Sequence, residues 1–189
     1  MLFAGDLVDT EATEALGRRL AGLLRAGDLL VLTGPLGAGK TTLTRGLGAG
    51  LQVRGQVASP TFVLARTHPT ASGVPLVHVD AYRLGGADEL DDLDLDYEGS
   101  VVVVEWGAGL LDGVAESWLD VVIERPTGAG GGLGDDGSDP EGLPGPDGLV
   151  DPDALADSDS DPDDVADEPR RLTITAHGPR WEGVRLTTG

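Results

Sequence analysis

The 189-residue chain contains no cysteine and no asparagine, and its single lysine, Lys40, stands among 13 basic side chains. Without cysteine, disulfides, thiolate zinc sites and cysteine nucleophiles are all excluded. No run of 18 apolar residues occurs, so no membrane-spanning helix is expected. The opening MLFAGDLVDTEATEALG lacks the basic region and following apolar stretch of an export signal, and the expected location is the cytoplasm. Positive charge is also scarce. Against those 13 basic residues stand 33 acidic ones, a net charge of −20 that repels phosphate backbones and argues against a free-standing nucleic-acid binder.

The acidity is concentrated in one place. Residues 127–168 hold 14 Asp or Glu, nine Gly, five Pro and no Lys or Arg, which leaves only −6 on the other 147 residues. A stretch reading GAGGGLGDDGSDPEGLPGPDG and then DSDSDPDD buries too little apolar surface to offset the entropy of ordering it. It is therefore expected to be a disordered insertion in a single domain formed by residues 1–126 and 169–189. Its alternating aspartates lack the glycine and closing glutamate of an EF-hand loop, so calcium is disfavoured.

The remainder reads as α/β, with a largely parallel central sheet, antiparallel edges and flanking helices. Thr10–Leu24 carries Ala15, Leu16, Leu20, Leu23 and Leu24 at helical spacing, and Thr41–Leu51 suits a second helix. Strands are expected at Leu29–Thr33, Phe62–Arg66, Leu76–Val79, Val101–Val104, Leu119–Glu124 and Leu172–Ala176.

Between the first of these strands and the second helix, Gly34-Pro35-Leu36-Gly37-Ala38-Gly39-Lys40-Thr41 matches G-x-x-x-x-G-K-[ST]. The glycines let the backbone wrap an anion with several N–H groups turned inward, and the helix start adds its partial positive charge. Lys40 is the cation for the β- and γ-phosphates, and the Thr41 hydroxyl is a Mg2+ ligand. A chain that otherwise uses arginine keeps its lysine where a compact charge must fit among phosphates. A guanine-reading N-K-x-D motif cannot exist without asparagine, so ATP is the expected nucleotide.

Two runs end in a carboxylate at a strand exit, Leu76-Val77-His78-Val79-Asp80 and Val101-Val102-Val103-Val104-Glu105, where open α/β sheets bind ligands. One acid could serve the metal and the other could polarise the attacking water. Ser59-Pro60-Thr61 lies where nucleotide switches place a hydroxyl that senses the γ-phosphate, although such a trio is also an ordinary turn. His78 alternates with apolar neighbours, which puts it on the second side of its strand. Arg83 is placed either for a phosphate or for a nearby carboxylate. A small-molecule kinase would need an arginine-bearing lid, and the long insertion has no arginine.

In this order GPLGAGKTT, SPTF, HVDAYRL and VEW resemble the TsaE (YjeE) ATPases, over most of Thr10–Arg125 and again at Arg170–Trp181. The resemblance implies a P-loop NTPase domain, a Mg-dependent ATPase of low intrinsic turnover. It would act with TsaB and TsaD to form threonylcarbamoyladenosine at position 37 of tRNAs reading ANN codons. It further implies catalytic roles for Lys40, Thr61, Asp80 and Glu105, and Mg2+ held by Thr41 and Glu105. ATP would meet Thr10, Gly34, Gly37, Ala38, Gly39, Lys40, Thr41, Thr42 and Arg170 or its neighbour Arg171. Ser59, Pro60, Tyr82, Arg83 and Trp106 would form a switch and partner surface. Two departures stand out: Val79 and Ala81 replace the usual phenylalanine and leucine, and the acidic insertion replaces a short connection. Because loop length costs little free energy, replacing residues 127–168 with a short turn is expected to leave folding and ATP turnover intact. Circular dichroism and a turnover assay check this; loss of folded protein would make the segment structural.

Overall fold

Helical and strand periods in the sequence become β1 (Phe3–Leu7), α1 (Thr10–Ala21), β2 (Leu29–Thr33), α2 (Lys40–Gly50), β3 (Ala65–His68) and β4 (Leu76–Asp80). There follow α3 (Ala87–Asp91), β5 (Val101–Glu105), β6 (Trp118–Glu124), β7 (Arg170–His177) and a 3-10 turn at Pro179–Trp181. This computed structural model describes residues 1–111, 113–125 and 169–186. The expected acidic insertion at 127–168, Pro126 and residues 187–189 lie outside the described residues.

The seven strands of the described residues share one sheet in the order β1-β7-β6-β2-β5-β4-β3. Its four central strands, β6, β2, β5 and β4, run parallel; β7 and β3 run antiparallel to them, and β1 at the edge pairs antiparallel with β7. The expected antiparallel edges are thus present, and the sheet is mixed. The expected strand at Phe62–Arg66 is corrected: the Pro60 carbonyl accepts from the Val63 and Leu64 amides, closing a turn, and pairing begins only at Ala65. Residues 61–63 look strand-like by composition, yet Phe62 is 92% exposed. Strand β1 and the short α3 were not foreseen, and α1 ends at Ala21, three residues before the expected Leu24, with Gly22 as its cap.

The strands' period of two sorts the core into two layers. Leu30, Leu32, Leu76, Val101 and Val103 pack with Leu16, Leu20, Leu43 and Leu47 of α1 and α2, whereas Leu29, Val31, Val77, Val79, Val102 and Val104 face the opposite layer with Leu90. Burying each such leucine contributes roughly 2 kcal/mol. Alternation then fixes the fate of the strand-end polar residues: His78, Asp80 and Glu105 continue the row facing α2. The two helices themselves approach backbone to backbone. A Cβ on Gly46 would lie 2.8 Å from the Glu14 Cα, and one on Gly17 would lie 2.8 Å from the Leu47 amide nitrogen.

At the other end of the sheet, Arg180 donates through Nε and Nη2 to both oxygens of Asp28, each at 3.0 Å, and through Nη2 to the Leu23 carbonyl at 2.7 Å. This pair ties the C-terminal turn to the start of β2, and Asp28 is 3% exposed. Among the described residues no helix is long and apolar enough to cross a membrane. Arg180→Ala would leave the buried Asp28 carboxylate without its charged partner, held by the Arg25 amide, and is expected to lower the unfolding free energy by about 3 kcal/mol, read by urea denaturation.

Candidate functional site

The turn between β2 and α2 takes its shape from glycine. Gly37 (φ +71°) and Gly39 (φ +99°) occupy the left-handed region, and a Cβ on Gly34 would run into the Ile123 carbonyl. Gly39 caps α2 without a side-chain hydrogen bond, and the partial positive charge of the helix start faces this turn. Ala38, Lys40, Thr41 and Thr42 are buried around this cradle, and among the described residues the Thr42 hydroxyl has no hydrogen-bond partner. Lys40, 1% exposed, folds back over the loop. Its Nζ donates to the carbonyls of Gly34 (3.1 Å) and Pro35 (3.0 Å) and lies 4.0 Å from the Trp106 ring centroid.

Directly opposite, β4 and β5 end in register, Asp80 beside Glu105. The Thr41 hydroxyl donates to Glu105 Oε1 at 3.0 Å, joining the helix start to the strand end. His78 Nε2 lies 2.7 Å from the same oxygen. Glu105 is only 2% exposed, and these two partners satisfy a carboxylate that water scarcely reaches. The imidazole of His68, on β3, is held below its ordinary range first by burial, then by His78 and Arg66.

Asp80 anchors a second group. Its Oδ2 accepts from the Thr61 hydroxyl at 2.5 Å and its Oδ1 from the Tyr82 amide at 2.9 Å. Ser59 Oγ lies 2.7 Å from Thr61 Oγ1, and Arg83 donates to the Thr61 carbonyl. Among the described residues Arg83 pairs with no carboxylate and holds the loop backbone at Thr61 instead. Trp106 adopts φ +63°, rare for a bulky residue, with its amide donating to the Leu32 carbonyl at 3.0 Å. The ring then sits between Lys40 and Tyr82, whose ring centroid is 5.1 Å away.

Arg170 and Arg171 are separated by strand alternation. Arg170, 1% exposed, lies against Gly39, where a Cβ would meet its Nε at 3.3 Å, and its Nη1 is 3.5 Å from Thr10 Oγ1. Arg171 turns outward to within 3.6 Å of Asp6. Thr10, Arg170 and the glycine loop are therefore neighbours, and Arg171 is not among them. The sequence reading missed the contact of His78 with Glu105. Its signal was there: His78 sits one alternation before Asp80, on the same face.

The site is that of an α/β protein in which a glycine-rich strand–loop–helix cradle with a buried lysine faces a strand-end carboxylate. The family model described as threonylcarbamoyl adenosine biosynthesis protein TsaE matches residues 7–129. The chain is 51% identical over 170 residues to the tRNA threonylcarbamoyladenosine biosynthesis protein TsaE of Streptomyces coelicolor, covering 88% of this chain and 91% of that one. It is 39% identical over 121 residues to its namesake in Bacillus subtilis, covering 62% and 75% of the two chains. The crystal structure of YdiB from Bacillus subtilis superimposes with a TM-score of 0.61 at 26% identity, over 96% of this chain and 90% of that one. The chain belongs to the TsaE family, whose members take part in threonylcarbamoyladenosine biosynthesis on tRNA.

Proposed function

We propose that this chain is a Mg2+-dependent ATPase with the P-loop NTPase fold and low intrinsic turnover, acting in the cytoplasm with TsaB and TsaD homologues. Together they would form threonylcarbamoyladenosine at position 37 of tRNAs reading ANN codons, with tRNA met only through the complex and no membrane involved. Hydrolysis would reset the complex between cycles. The observation that carries the ATPase reading is the Thr41–Glu105 hydrogen bond beside a buried lysine and a glycine-built anion cradle.

The donor chemistry fits the metal. A threonine hydroxyl and a carboxylate are hard oxygen ligands, the kind Mg2+ takes while sharing substrate phosphates. Thr41 and Glu105 would hold the ion, which when bound neutralises charge on the β- and γ-phosphates. The amides at Gly37–Thr42 receive phosphate oxygens, with the orphan Thr42 hydroxyl as a further donor. Lys40 Nζ exchanges the Gly34 and Pro35 carbonyls for the phosphates. Asp80, braced by Thr61, orients the water whose oxygen bonds to the γ-phosphorus as the bond to the ADP oxygen breaks. Thr10 and Arg170 flank the nucleotide beside Gly39.

Ser59, Pro60, Tyr82, Arg83 and Trp106 form the partner surface. Tyr82 is 66% exposed and is linked through Trp106 to Lys40, so a nucleotide that moves the lysine is felt at the rim. Lys40→Ala is expected to abolish ATP binding measured by calorimetry; unchanged affinity and turnover would overturn the site. ATP turnover by the chain alone is expected to be slow and to rise when TsaB and TsaD are added. Equal rates with and without them would count against the partner-coupled reading.

A further inference from the structure

We infer that His78 is the positioning residue of this site, holding the Glu105 carboxylate in the orientation that makes it a metal ligand. The inference rests on the Mg-ATP reading above and deepens it.

His78 and Glu105 belong to neighbouring parallel strands, with His78 paired to Val103 and Asp80 to Glu105. Alternation puts the imidazole one step back from the strand ends on the same face, and from there Nε2 reaches Glu105 Oε1 at 2.7 Å. Thr41 donates to that same oxygen, so both partners converge on Oε1. Which ring nitrogen donates follows from its surroundings. His78 is fully buried and its Nδ1 has no hydrogen-bond partner among the described residues. A proton on Nδ1 would be a stranded buried donor and would turn a lone pair toward the carboxylate; on Nε2 it faces an acceptor. His78 therefore donates to Glu105 through Nε2. Thr41 alone cannot fix the carboxylate, because its own oxygen is needed by the cation. His78 contributes nothing to the cation directly and supplies the fixed point about which Glu105 is aimed. Partners of this kind behind a ligating side chain typically change metal affinity by about 10–100-fold when removed.

The test is calorimetric binding of an ATP analogue with an imido β–γ bridge, titrated at increasing Mg2+ and repeated in EDTA. His78→Leu is expected to raise the Mg2+ concentration for half-maximal binding by about tenfold or more, with affinity in EDTA unchanged. His78→Gln, whose amide nitrogen reaches the position of Nε2, is expected to restore the wild-type midpoint. If the leucine variant does not fold, His78→Asn, equally polar but too short to reach Oε1, takes its place with the same expectation. Equal Mg2+ midpoints in the wild type, the glutamine variant and the leucine or asparagine variant would overturn the role of His78 and leave the nucleotide reading standing. Absence of Mg2+-dependent binding in the wild type itself would overturn both.

Discussion

A hydrogen bond from the Thr41 hydroxyl to Glu105 joins two elements that arrive by independent routes, and it sets the spacing of everything around it. Helix α2 is located by its close approach to α1, where glycines at 17 and 46 let backbone meet backbone. Strand β5 is located by four valines, all fully buried, that divide between two core layers. Neither constraint involves the site, yet together they leave one place for the helix start and one for the strand end. A site mounted on such rigid elements is held more tightly than one carried by loops alone.

That spacing also explains how long charged side chains survive without water. Lys40, Glu105 and Arg170 are each exposed by 2% or less. Burying an unpaired ion costs several kcal/mol, roughly, so each needs local partners. Lys40 has two loop carbonyls and the Trp106 ring, Glu105 has Thr41 and His78, and Arg170 packs along Gly39 toward Thr10. The Trp106 backbone is strained by about 1–3 kcal/mol to lay its indole across the lysine, and the bond from its amide to Leu32 holds it there. Charges and strain gathered in one small volume are what a site built for a charged ligand requires, and a core packed only for stability would lack them.

Much of this was legible in the sequence because it depends on short-range pattern. The glycine spacing, Lys40, and two apolar runs closing on Asp80 and Glu105 all lie within single strand–loop units, so local reading placed them correctly. What failed was non-local or depended on orientation. Residues 62–66 have strand composition, but a turn built on the Pro60 carbonyl delays pairing until Ala65. Strand β1 forms through antiparallel pairing with β7, about 165 residues further along, which no local window contains. Arg170 and Arg171 are indistinguishable by type, and only the alternation of β7 sends one to Gly39 and the other to Asp6. The value of His78 was hidden because its partner lies on a different strand, 27 residues away.

The same topology accounts for where a long acidic insertion can be tolerated. It interrupts the chain between β6 and β7, which are antiparallel neighbours with Glu124 paired to Arg171. The two points of attachment are thus held side by side by the sheet, whatever lies between them. Lengthening such a connection costs only about 0.6 kcal/mol for each doubling, since closure entropy grows with the logarithm of length. An insertion of equal size between β2 and α2 would instead separate the glycine cradle from the strand that feeds it, and one between β4 and α3 would release Asp80 from the Tyr82 amide. A break after β6 disturbs neither carboxylate. It does lie next to Arg170, the first residue of β7, and that arginine keeps its place because the β1 and β6 registers grip β7 from both sides.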